Sequence, residues 1–253
     1  MATKELKTTP KISVKIWRPI LDKFDEKLES ACLRRDAFLS MLLKGEVEML
    51  DQEVSIPNSQ ESYDYVFREL DKFDRKLVSL ALPSEISARL NEVCATKRIV
   101  RDAFFNRLFL LLAAKKELID KLVFGAATDE WRREVWREVK YDEKFFQDSF
   151  YPLGSILDPF WAIRMGIDLY AEGTELEDHF EPSTRMTVKV RRYFVADAIE
   201  PAASLYTTVF HQKSSSNLLA FSCYLPDWEI PGHPAEQASR LLLDDLLEDE
   251  EAL

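Results

Sequence analysis

In the stretch KISVKI, Lys11, Ser13 and Lys15 alternate with Ile12, Val14 and Ile16. On a strand, period-two alternation places two ammonium groups and a hydroxyl on one face, opposite an apolar face. Such a row donates hydrogen bonds and positive charge, which suits binding to phosphates or to acceptors on base edges. Other chemistries find little support. His179, His211 and His233 lie 32 and 22 residues apart, and none stands at zinc-ligand spacing to a cysteine. Six glycines leave little room for a phosphate cradle, and no Gly-x-Ser-x-Gly elbow occurs. Glu138-Val139-Lys140 faintly echoes a nuclease carboxylate–lysine pair, but it falls in a predicted helix where a solvated ion pair accounts for it. Lys189, Arg191 and Arg192 fit either a second anion site or an exposed strand face. We therefore expect no catalytic residues, no metal and no cofactor.

The elements around the row occur twice. A shift of 66 positions brings Arg35-Asp36-Ala37-Phe38 onto Arg101-Asp102-Ala103-Phe104, Leu42 onto Leu108, Ser13 onto Ser79, Ile20 onto Ile86 and Glu26 onto Glu92. A constant offset over about forty residues marks a repeated structural unit. In each copy a short strand is followed by two helices. Copy one (11–52) has a strand at 11–16, a helix over WRPILDKFDEKLESA with Pro19 in its first turn, and a second helix from Arg35 to about Asp51. Copy two (77–123) has LVSLAL as its strand, a helix opening at Pro83, and a long helix from Arg101 to about Val123. The connector, 53–76, includes SYDYVFRELDKFD, which reads as a helix crossing the unit.

The chain has 253 residues, 46% of them apolar and 31% charged, as a globular protein with a sizeable core requires. Its net charge of −11 is unevenly spread: residues 1–124 hold 22 Lys/Arg against 20 Asp/Glu, and residues 125–253 hold 12 against 25. Nucleic-acid binding would thus need a local patch in the first half. The longest apolar run, Leu108–Ala114, is far too short to span a bilayer. No secretory signal is expected, and three widely spaced cysteines read as free thiols in a reducing compartment, the cytoplasm.

A strand followed by two helices in roughly forty residues, present in tandem, resembles the ribbon–helix–helix proteins of the MetJ/Arc/CopG class. The resemblance covers residues 11–123 only. It implies a mainly α fold in which the two copies form an intramolecular pseudo-dimer, pairing their strands into an antiparallel ribbon that enters the DNA major groove. It further implies that the outward strand residues face the bases: Lys11, Ser13 and Lys15 from copy one, and Ser79 and Ala81 from copy two, where Leu77 takes the place of the first lysine. Phosphate contacts would come from the strand flanks and the second-helix starts, through Lys7, Arg18, Arg34, Arg35, Lys97, Arg98 and Arg101. The chain departs from the family at the second-helix caps, where Arg34 and Val100 replace Ser or Thr, and in the preceding turns SACL and TKRI, which lack glycine.

Residues 125–253 read as a small acidic α+β domain. WRREVWREVKYDEKFFQDSFY suggests an amphipathic helix, while TRMTVKVRRYFVA, ASLYTTVFHQ and NLLAFSCYL are β-rich, with QKSSSN a hairpin loop between the last two. The leucine-acid tail, 238–253, reads as an amphipathic helix or a solubilising end. The expected function is sequence-specific binding of double-stranded DNA by a transcriptional regulator or a plasmid or phage accessory factor. A protein partner would dock on the acidic domain, and two pseudo-dimers could assemble. The alternative is a protein-interaction module, an antitoxin-like inhibitor or complex subunit, whose core no longer binds DNA.

Overall fold

A computed structural model describes residues 11–123, 159–160, 163–164, 167, 203–210 and 217–236. The first of these stretches is mainly helical with one small sheet. In chain order its elements are β1 (Lys11–Trp17), α1 (Arg18–Ser30), α2 (Arg35–Glu53), α3 (Gln60–Leu70), β2 (Arg75–Ala81), α4 (Ser84–Thr96), α5 (Arg101–Ala113) and α6 (Lys116–Val123).

β1 and β2 pair antiparallel, with Lys11 opposite Ala81, Ser13 opposite Ser79, and Lys15 opposite Leu77. Ser79 is also Ser13 shifted by the repeat offset, so the centre of the ribbon is a residue paired with its own equivalent. The helices follow the same exchange: α1 packs on α5, and α2 packs on α4. Each copy thereby covers the other's apolar faces. Val14, Ile16, Val78 and Leu80 point inward, and Phe24, Phe38, Leu42, Leu90, Phe104 and Leu108 are all buried. The Phe24 ring lies 4.4 Å from that of Phe109 across the α1–α5 contact.

The two helix-to-helix turns are built alike without glycine. Leu33 N–H donates to Leu28 O and Ile99 N–H to Cys94 O, both at 2.8 Å, the long bond of a Schellman turn. That turn demands a left-handed residue, and Cys32 (φ 55°) and Arg98 (φ 48°) supply it at positions 66 apart. With no glycine at either position, both turns carry left-handed strain. In the connector, Ser59 caps α3 by accepting from Ser62 N–H at 2.9 Å.

Two expectations need correction. The helix expected over 101–123 is two helices, because Ala114 turns to an extended backbone (ψ 157°) after α5. The break lets Ile119 and Leu122 of α6 return to the core. Nothing in Ala113-Ala114-Lys115 signals it. Second, the stretches expected as strands at 203–212 and 217–225 form no strand among the described residues; they hold turns and a 3-10 helix at Leu218–Phe221, with another at Asp227–Glu229. Their backbone is satisfied instead by side chains of the helical unit. Arg107 donates to Leu205 O (2.8 Å), Thr208 O (2.7 Å) and, at 3.5 Å, Phe221 O. Asn58 donates to Cys223 O at 2.8 Å and accepts from Leu225 N–H at 2.9 Å. Leu205, Tyr206, Phe210, Phe221 and Cys223 are buried within the same core as the repeats. The segments expected at 184–196 and 238–253, and the helix near 131–150, lie outside the described residues.

Candidate nucleic-acid interface

Alternation along β1 and β2 leaves one face of the ribbon toward solvent. On it lie two rows: Lys11, Ser13 and Lys15 on β1, and Leu77, Ser79 and Ala81 on β2. All are exposed except Ala81, which is half-buried, and Leu77 is 63% exposed. Lys11 and Lys15 are about 13 Å apart along the strand. Neither forms an ion pair among the described residues, although the Asp102 carboxylate is close enough to feel the Lys15 charge.

β1 is braced from its open side by the start of α5. Arg101 donates to Ser13 O at 3.0 Å, and Asn106 donates to Lys15 O at 2.9 Å while accepting from Trp17 N–H at 2.8 Å; the Asp102 carboxylate lies beside the Lys15 amide. A strand edge left open would cost these backbone groups their partners. Burial pushes the Asp102 carboxyl above its ordinary pKa, against the pull of the Lys15 amide and of Arg75 and Arg101. The equivalent residues of copy one do not brace β2. Arg35 pairs with Asp25 at 3.2 Å, and the Ser40 hydroxyl donates to Asp36 O at 2.7 Å.

The residues expected at phosphates divide into two groups. Arg34, at the start of α2, is exposed and has no partner among the described residues. The others are engaged. Arg18 pairs with Asp74 at 3.0 Å, Arg35 with Asp25, and Lys97 with Asp51 at 3.2 Å; Arg98 donates to Asn58 O at 3.1 Å. Arg101 is split between Ser13 O and the Asn91 side chain, at 3.2 Å. Lys7 lies outside the described residues. Arg18, Arg35 and Lys97 are ion-paired and add little net potential, whereas Arg98 and Arg101 bond neutral groups and keep their charge, as do Lys11, Lys15 and Arg34, unpaired among the described residues.

Asn106 was not expected as a strand brace from the sequence. One signal could have revealed part of the arrangement: Asp25–Arg35 and Asn91–Arg101 are the same pair, shifted by 66. The second missed residue is Arg107, fully buried with its guanidinium 3.8 Å from the centre of the Phe210 ring. The position equivalent to it in copy one is Met41, which is 39% exposed. Among the described residues, no group of three histidines, cysteines or acids could hold a metal ion, and no helix is long and apolar enough to cross a membrane. Comparison with models of protein families, with curated proteins and with solved structures returns no match.

Proposed function

We propose that residues 11–123 form a single-chain ribbon–helix–helix pseudo-dimer and that the chain binds double-stranded DNA, with the β1–β2 ribbon in the major groove. The observation that carries this is the register. Pairing centred on Ser13 and Ser79 presents six side chains on one exposed face, with two lysines free of ion pairs among the described residues. A two-stranded ribbon fits a major groove about 12 Å wide, and lysine donates to guanine O6 and N7 or to phosphate. The role in view is that of a transcriptional regulator or a plasmid or phage accessory factor. The acidic remainder of the chain, repelled by DNA, is then free to meet a protein partner or a second copy.

The test is fluorescence anisotropy of the full chain with labelled duplexes over a range of salt. Binding should weaken with salt. In Lys11→Ala/Lys15→Ala the slope of log affinity against log salt should fall by about one unit for each lysine that neutralises a phosphate. A wild-type chain with no salt-dependent affinity for any duplex overturns the proposal. One observation favours a second reading: Leu77, 63% exposed, sits on this face opposite Lys15. A ribbon reused to hold a protein would gain from that apolar contact, and the lysine changes would then disrupt a protein complex instead.

A further inference from the structure

The two rows of the ribbon are related by the repeat but are not chemically equivalent. Exchange of the copies carries Lys11 onto Leu77 and Lys15 onto Ala81, and leaves only the central serine unchanged. Both lysines therefore stand on the same strand, and none stands on the outward face of β2. The bracing is one-sided in the same sense, since the α5 side chains hold β1, while the equivalent Arg35 and Ser40 are engaged elsewhere. The row of donors thus lies on the strand whose backbone is fixed most firmly.

From this we infer, resting on the DNA-binding reading above, that the chain recognises a non-palindromic site in one orientation, with its guanine contacts on a single DNA strand. A ribbon lying along the groove places each of its rows nearer one wall and hence nearer one DNA strand. A symmetric dimer presents the same donors to both strands, and so selects a palindrome. Here Lys11 and Lys15 face one strand, about 13 Å apart, which spans about four base pairs at 3.4 Å each. Leu77 and Ala81 can offer the other strand only apolar contact, such as with the methyl of a thymine in a neighbouring pair. Ser13 and Ser79, at the centre, donate or accept equally well and impose no direction.

The experiment is selection by the full-length chain from a randomised duplex library, followed by affinity measurements on the enriched sequence. The enriched motif should lack two-fold symmetry and carry two guanines on the same strand, about four base pairs apart. A duplex made palindromic from either half of that motif keeps one lysine–guanine contact and should bind about 5- to 150-fold more weakly. Leu77→Lys/Ala81→Lys restores the missing donors on an exposed face and should move the preference toward a palindrome. Enrichment of a palindrome by the wild-type chain overturns the inference and leaves DNA binding standing. Salt-dependent binding with no enriched sequence likewise overturns the inference alone, and no binding to any duplex overturns both.

Discussion

Replacing Arg107 by Met tests whether one buried cation clamps residues 203–210 and 217–225 to the repeats. Methionine is the residue at the equivalent position of copy one and is unbranched like the arginine stem, so the change keeps the apolar stem and removes the guanidinium with its charge and donors. Arg107 makes two short bonds, to Leu205 O and Thr208 O at 2.8 and 2.7 Å, a long one to Phe221 O, and a close approach to the Phe210 ring. Its loss leaves at least two buried carbonyls unpaired, at about 1–3 kcal/mol each. Relief of the guanidinium's own desolvation offsets part of this, for a net loss of about 2–4 kcal/mol. The damage should be local as well as global. Urea unfolding should shift to a lower midpoint, and hydrogen exchange should speed up in 203–210 and 217–225 before it does in β1 or α1. Arg107→Lys should rescue little, because a compact ammonium cannot span carbonyls that a planar guanidinium reaches together. An unchanged midpoint with full protection of 203–210 would refute the clamp.

Two further outcomes follow from the turns and thiols. Cys32 is exposed at φ 55°, so Cys32→Gly relieves left-handed strain without removing packing and should raise stability by about 1 kcal/mol, read as a higher urea midpoint at constant slope; an unchanged or lower midpoint counts against the strain. Burial pushes the thiols of Cys94 and Cys223 from the ordinary 9.0 up to about 12. Native protein at neutral pH should therefore label at Cys32 alone and at all three cysteines once unfolded. Because the unfolded chain releases these two protons first, stability is intact below about pH 9 and should fall as pH rises from 9 to 12. Fast native labelling of Cys223, or a stability flat across that window, contradicts the burial.

Much of the first half was legible because its signals are local and occur twice. Alternation in KISVKI and LVSLAL places both strands within two residues, and Pro19 and Pro83 sit at the helix starts as their fixed φ demands. The strand pairing follows from the repeat itself, since neither strand can satisfy its backbone or bury its apolar face alone. The second half misled for a physical reason. ASLYTTVFHQ and NLLAFSCYL have strand composition, but strand composition describes a residue suited to a half-buried surface, not a partner strand. Here the partners are Arg107 and Asn58, and no pattern in a single sequence shows that an arginine will be buried. A clue did exist in FFNRLFLLLA. A helix apolar on all sides must be covered on all sides, and copy one supplies only part of that cover.

That clue also accounts for the divergence of the two copies. In copy two, α5 is enclosed by β1, α1 and the stretches 203–210 and 217–225, and Phe104 meets Tyr206 with ring centres 5.7 Å apart. In copy one, α2 carries Met41 and Lys44 where α5 carries Arg107 and Leu110, and both α2 residues remain exposed. The copy whose second helix is central to the core has no lysine in the outward row of its strand, while the copy with the more exposed second helix has two. Tandem fusion makes this division available. Two separate identical chains must keep one sequence fit for both tasks, whereas a fused pair can give the packing to one half and the exposed cationic row to the other. Copy two still contributes to the strand that carries the lysines, because Arg101 and Asn106 of α5 bond to the β1 backbone at Ser13 O and Lys15 O.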